Sequence, residues 1–136
     1  MFIDSSAIVS ILTNEPGART LAQSIDSTPN PITSPVAVFE AILGIRRKFD
    51  LTVERAELNV SRFLAAAGVE IVPIAAKDAE VAMDAFRRYG KGQGHPAQLN
   101  MGDCFAYAAA KAHDAPLLHK DEGFWLTDAV QARERG

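Results

Sequence analysis

Four positions in this chain carry carboxylates where an acid is either expensive or conspicuous. Asp4 separates the apolar pair Phe2–Ile3 from Ala7, Ile8, Val9, Ile11 and Leu12. Glu40 lies in VAVFEAILGI, the most hydrophobic helical stretch, with Val36, Ala37, Leu43 and Gly44 as its helical neighbours. Asp103 follows Gly102 and opens DCFAYAAAKAH; Asp121, with Glu122 beside it, follows the apolar PLLHK. A carboxylate withdrawn from water must be paired, hydrogen-bonded or bound to a cation. Each of these acids has a purely structural explanation. Asp4 and Asp103 suit helix caps, Glu40 suits a core boundary paired with Arg47, and Asp121 or Glu122 suits a turn.

Taken together, the four acids fall where an open α/β sheet presents its binding edge, at the carboxyl ends of its strands. Clustered carboxylates repel one another unless cations neutralise them. Mg²⁺ or Mn²⁺ fits such a set, because each is hard, takes oxygen ligands and is bound by a few carboxylates with water completing the shell. Such an ion acidifies water and stabilises charge on a phosphodiester in displacement. The expected chemistry is metal-dependent phosphoryl transfer to a metal-activated water. Asp4, Asp103 and Asp121 are the expected ligands, with Glu40 acting directly or through water. Ser6 is a supporting hydroxyl, and Glu122 is held in reserve for Asp121.

The elements that must position these acids are legible from caps and periodicity. Phe2–Asp4 reads as a strand, and Ser5 and Ser6 as cap candidates for a helix from about Ala7 to Leu12. Pro16 suits the first turn of a helix running to about Ile25. Residues 27–35 read as a loop around a short extended piece, and Ser34-Pro35 starts a helix to about Phe49. Thr52 opens a helix that Gly68 ends, with Ala56, Val60, Phe63, Leu64 and Ala67 on one face. VEIVPI (69–74) reads as a buried strand. Asp78–Tyr89 and Asp103–His113 read as helices, and PLLHK (116–120) as a last strand. Strands separated by helices imply one three-layer α/β/α domain over 1–136 with a mainly parallel central sheet.

Composition narrows the function classes. The chain has 136 residues, 48% hydrophobic and 23% charged, as in an ordinary globular protein. No apolar run approaches membrane-spanning length, and no basic leader precedes the acid at position 4, so a cytoplasmic location without membrane attachment is expected. A net charge of −3 argues against a general nucleic-acid coat, though not against an enzyme acting on nucleic acid. The 7% aromatic content is too low to suggest base-stacking platforms.

The stretch YGKGQGHPAQLNMGDC (89–104) matches neither a Walker A loop nor GxGxxG, and it reads first as a connector. Lys91, His95 and Asn100 within it stand just upstream of Asp103, as candidates for a phosphate or the scissile region. Arg46, Arg47 and Lys48 follow Glu40 on its helix, and Arg87, Arg88 and Lys91 precede or enter the loop. If these bases flank an acidic crevice, they would hold an RNA backbone through phosphates. Other chemistries fit less well. Cys104, the single cysteine, lies inside an apolar helix, where an inert thiol is expected. No GxSxG surrounds Ser5 or Ser6, no spaced His/Cys pairs suggest zinc, and Ser6 stands where a haloacid-dehalogenase-type phosphatase has its second Asp.

FIDSSAIVSILTNEP, an inward Glu40, YGKGQGHPAQLNMGDCFAYAAAK and PLLHKDEGFWLTD together resemble the VapC-type toxins of the PIN-domain family. The resemblance implies a small α/β/α PIN domain with Mg²⁺- or Mn²⁺-dependent endoribonuclease activity. It also implies the toxin role in a toxin–antitoxin pair, a homodimer, and inhibition by a VapB-type antitoxin within a hetero-oligomer. Asp4, Glu40 and Asp103 match the family's first three acids, and Ser6 its small hydroxyl. At the fourth acid the related subgroup shows Lys-Gly-acid-Asp-Phe, whereas this chain has Lys120-Asp121-Glu122-Gly123-Phe124. Asp121 is expected to serve there. A catalytically silent PIN-fold interaction module, and a metal-dependent phosphatase or DNase, are the alternatives.

Overall fold

A computed structural model describes residues 1–135. Four two-residue strands, β1 (Phe2–Ile3), β2 (Ile32–Thr33), β3 (Glu70–Ile71) and β4 (Leu117–Leu118), form one sheet in the order β3-β2-β1-β4. Every pairing is parallel. Alternation along the strands sorts the core into two layers. Phe2 and Leu117 face α5 (Ala76–Tyr89) and α6 (Met101–Ala112). Ile3 and Leu118 face the opposite layer, built from α1 (Ser5–Leu12), α2 (Ala18–Asp26), α3 (Pro35–Phe49) and α4 (Val53–Ala67). The expected α/β/α arrangement with a parallel sheet is present.

Several boundaries follow their local chemistry. Ser34 Oγ accepts the Ala37 N–H ahead of α3, and Thr52 Oγ1 accepts the Arg55 N–H ahead of α4. Gly68 ends α4 in the left-handed conformation, at φ +67°. Other expectations are corrected. Asp4 itself, rather than Ser5 or Ser6, caps α1. Pro16 lies outside α2, which starts after Gly17 at φ +89°. α5 begins at Ala76, because Asp78 reaches back to accept the Ala75 N–H. α6 begins at Met101 rather than Asp103, with Asn100 as its cap. The expected buried strand near VEIVPI shrinks to Glu70–Ile71, which is exposed because β3 lies at the sheet edge; only Val72 beyond it is buried.

The ends of β1 and β4 are locked side by side. The Asp4 N–H donates to Leu118 O at 3.0 Å, continuing the ladder past the last strand residue. Behind β1, buried Thr33 donates from Oγ1 to Ile3 O at 2.7 Å. Asp4 and the His119–Asp121 segment are therefore set at one edge of the sheet.

Candidate metal centre

Asp4 is 2% exposed. Its Oδ2 accepts both the Ser6 N–H at 3.0 Å and the Ser6 hydroxyl at 2.5 Å. Its Oδ1 is buried without a partner. Burial pushes this carboxyl above its ordinary range, against the two Ser6 hydrogen bonds; the Asp121 charge adds to the rise. A buried charged oxygen left unpaired is among the costlier features a fold can carry.

Asp103 occupies the third position of α6 in a reciprocal cap. Its Oδ2 accepts the Asn100 N–H at 3.0 Å, and Asn100 Oδ1 accepts the Asp103 N–H at 2.8 Å. Burial raises its pKa well above the carboxylate range, and the nearby Asp121 and Asp4 charges raise it further. Asp121 caps a 3-10 helix, Glu122–Leu126, by accepting the Gly123 N–H on Oδ1 at 2.8 Å. Its own N–H donates to His119 Nδ1 at 3.2 Å. With Nδ1 accepting, the imidazole proton sits on Nε2, which faces Gln131 Oε1 at 2.5 Å.

Glu40 reaches the group from α3, half-buried. Ser5 Oγ donates to its Oε1 at 3.2 Å, and burial, followed by the Asp4 charge, raises its pKa. No ion pair joins it to Arg47 among the described residues. Its carboxylate lies against Gly102, where a Cβ would come within 1.9 Å of Oε2. The capping explanation for Asp4 is thus correct, Asp103 shares the cap with Asn100, and Asp121 caps the turn of 3-10 helix that follows it; the backbone bond in each case engages only one carboxylate oxygen. The structure brings Asp4, Glu40, Asp103 and Asp121 into one electrostatically coupled group. Among the described residues no group of three or more His, Cys, Asp or Glu side chains is placed closely enough to hold a metal ion as it stands. An open set with one orphaned oxygen suits a hard cation that keeps much of its water.

The remaining candidates separate clearly. Ser6 is at the centre, its hydroxyl also accepting the Lys120 N–H at 2.9 Å. Asn100 is a cap. Glu122 is exposed and pairs with Arg135 at 2.6 Å, away from the group that holds Asp121. A groove of about 630 Å³ beside the acids is lined by Ser5, Ser6, Glu40, Arg47, Lys48 and Lys120, among others. Arg47 is therefore on the groove. Arg46 and Lys91 are exposed and do not line it. His95 is engaged in its loop, with Nδ1 accepting the Ala97 N–H at 3.0 Å and its ring edge-on to Tyr89. Burial and the Asp103 charge push the Cys104 thiol up to about 11, as an inert core thiol requires. Ser5, His119 and Lys120 were not singled out for the site in the sequence. The available signal was a polar HK pair directly after the apolar strand residues Leu117–Leu118.

A family model described as PIN domain matches residues 1–129. The chain belongs to the PIN-domain family. Within it, a ribonuclease VapC of Mycolicibacterium smegmatis is 42% identical over 130 residues, covering 96% of this chain and 98% of that one. Ribonuclease VapC42 of Mycobacterium tuberculosis is 37% identical, over 94% and 95% of the two chains. A VapC ribonuclease of Rhizobium meliloti is 40% identical, over 93% and 97%. Among solved structures, Mycobacterium tuberculosis VapC20, described as a Sarcin-Ricin loop cleaving toxin, shares the PIN fold at TM-score 0.75. Its sequence identity is 17%, over 98% of each chain. A toxin–antitoxin complex from Klebsiella pneumoniae shares it at TM-score 0.64 and 18% identity, also over 98% of each chain. Membership of the family and likeness to these VapC ribonucleases over nearly the whole chain make it a PIN-domain ribonuclease.

Proposed function

We propose that this PIN protein cleaves RNA phosphodiester bonds with a divalent cation, Mg²⁺ or Mn²⁺, held by Asp4, Asp103 and Asp121, with Glu40 at its side. The observation that carries the reading is the buried, partnerless Oδ1 of Asp4, beside Glu40 and Asp103, whose carboxyls are pushed up by burial and by the Asp4 and Asp121 charges. When bound, the cation supplies a nucleophilic water at neutral pH and positive charge against the phosphodiester.

The chain's own residues do the positioning. Ser6 fixes Asp4, Asn100 fixes Asp103, and Gly123 with His119 fixes Asp121, each through the hydrogen bonds described above. Glu40, held only by Ser5, orients the attacking water and takes its proton. Arg47, Lys48 and Lys120 line the groove and hold phosphates without reading sequence. The single domain acts in the cytoplasm as the toxin of a VapB-type antitoxin pair. It assembles as a homodimer and, with the antitoxin, as a hetero-oligomer; the shared fold of the Klebsiella pneumoniae complex supports the antitoxin partner.

The test is to incubate the purified chain with RNA, DNA and a phosphomonoester, with Mn²⁺ or with EDTA. RNA alone should be cut, only with the cation, and Asp4→Asn should lower the rate by on the order of a hundredfold or more. A folded Asp4→Asn variant with full activity overturns the ligand assignment. Intact RNA alongside a hydrolysed phosphomonoester overturns the substrate.

A further inference from the structure

Next to the groove beside Glu40 lies a second one, of about 640 Å³, whose walls include Gly17, Lys120, Trp125, Arg133 and Arg135. Lys120 is the one residue that lines both. Its placement is tightly specified. The backbone N–H donates to Ser6 Oγ, the same hydroxyl that holds Asp4, while Nζ donates to Pro16 O at 2.9 Å. Gly17, in the left-handed conformation at φ +89°, lies beside the amine, where a Cβ would make only ordinary contact with Lys120 Nζ at 3.5 Å. Beyond Lys120 stands Trp125, half-buried, with its ring edge-on to His119 and the Arg133 guanidinium 5.5 Å from its centroid. Three cations, Lys120, Arg133 and Arg135, meet two acids there, Glu122 and Glu134.

We propose that this second groove is a nucleotide subsite for the RNA substrate, in which Trp125 and Arg133 stack on the base next to the scissile phosphate and Lys120 contacts the phosphate between the two grooves. The proposal rests on the ribonuclease reading above. A polynucleotide entering the groove beside Glu40 must leave it somewhere, and the Lys120 sill is an exit lined by a cation and followed by an indole. Aromatic faces and arginine planes are the groups that hold unpaired bases without strict sequence choice. The low aromatic content argued against a platform of several rings; a single tryptophan at one groove is a different device, serving one nucleotide.

Trp125 is the only tryptophan in the chain, so its emission reports on this groove alone. The experiment titrates the full-length protein, in EDTA to prevent cleavage, with a 5′-labelled single-stranded RNA of about ten nucleotides that the protein cuts in Mn²⁺. Binding is read by anisotropy and Trp125 emission together, with inorganic phosphate as the control. Quenching of Trp125 in step with the anisotropy, none with phosphate, and an affinity weakened about ten- to a hundredfold in Trp125→Leu but much less in Trp125→Phe are expected. In Mn²⁺, Trp125→Leu should raise KM far more than it lowers kcat, and the effect should vanish on substrates trimmed on one side of the cut. RNA that binds without changing Trp125 emission, or a folded Trp125→Leu variant with wild-type affinity and KM, overturns the subsite and leaves the ribonuclease reading standing. A Trp125→Leu variant that cleaves RNA normally but escapes the antitoxin overturns it too, and assigns the groove to the protein partner. RNA that neither binds nor is cut defeats the reading on which the subsite rests.

Discussion

The Glu40 carboxylate of α3 rests against the bare backbone of Gly102 in α6, one residue before Asp103. Any Cβ at position 102 would meet Oε2, Cδ and Oε1 of Glu40 at 1.9, 2.3 and 2.4 Å. This close approach carries an acid from one layer of the fold to the cap of a helix in the other.

Gly102→Ala should therefore displace Glu40 rather than unfold the protein. The clash is with the far end of a flexible side chain, and alanine gains roughly 0.5–1 kcal/mol over glycine within a helix. Thermal stability is expected to stay within about 1 kcal/mol of wild type, while RNA cleavage falls as far as in Glu40→Gln. The double variant should be no worse than either single one, because both remove the same carboxylate from the same place. Additive losses in the double-mutant cycle would show that Gly102 acts independently of Glu40.

Stability in the absence of cations should carry the mark of Asp103. Its folded pKa is raised from the ordinary 3.8 by burial and by the Asp121 and Asp4 charges. An acid with a raised folded pKa contributes fully below its unfolded value, and that contribution is lost as pH climbs toward the folded one. Asp103→Asn, which retains an oxygen for the Asn100 N–H, should melt higher than wild type in EDTA at pH 7.5. The difference should close as pH approaches 4. A variant that melts lower than wild type at pH 7.5 would mean that the charge is not the penalty inferred here.

Ser6 links three parts of the centre through one hydroxyl, donating to Asp4 Oδ2 and accepting from the Lys120 N–H. Partners that orient a metal-binding group typically tune affinity by about ten- to a hundredfold. Ser6→Ala should weaken Mn²⁺ binding, measured by calorimetry at neutral pH, by that order, with a much smaller change in melting temperature. Unchanged Mn²⁺ affinity would reduce Ser6 to a helix-cap residue.

Across the molecule, Asp128 fastens the C-terminal segment to α5 and α6. It accepts the Tyr107 hydroxyl at 2.5 Å and pairs with Lys111 at 3.3 Å and Arg88 at 3.4 Å. Burial, the largest single effect, pushes its pKa up, but the Tyr107 and Lys111 hydrogen bonds and the two cations together outweigh it and bring the carboxyl to about 2. A lowered folded pKa contributes stability above the unfolded value, lost as pH falls through the folded one. The stability gap between wild type and Asp128→Asn should be present at pH 5–7 and close between pH 4 and 2. Because Asp128 is half-exposed, raising the salt concentration should shrink it as well.

Ser34-Pro35, Thr52 and Gly68 marked α3 and α4 in the sequence because capping and left-handed termination depend on the residue at the boundary and its nearest neighbours. The succession of strands separated by helices likewise implied helical layers on both faces of a mainly parallel sheet. Which strand lay at the edge was not legible. VEIVPI read as a buried strand, and only the order β3-β2-β1-β4 leaves its paired residues Glu70–Ile71 exposed. The local caps of α5 and α6 also misled by a residue or two, because Asp78 and Asp103 reach back to donors that precede the helix.

For the acids, residue type and position relative to apolar segments were enough to single out Asp4, Glu40, Asp103 and the Asp121–Glu122 pair. Each had a local explanation, as a cap, a core boundary or a turn; Asp4 and Asp121 cap helices, and Asp103 completes the cap formed by Asn100. Local sequence could not reveal that a cap engages one carboxylate oxygen and leaves the other for a neighbour a hundred residues away. Parallel pairing of β1 with β4 decided that, by setting Asp4 beside the turn that follows Leu118. The same geometry separated Asp121, inside the group, from Glu122, which faces solvent and Arg135. Spacing along a chain determines which side chains can form a helix end. Only tertiary contacts determine which helix ends meet, because the field of a buried charge depends on through-space distance and on the water excluded between the groups.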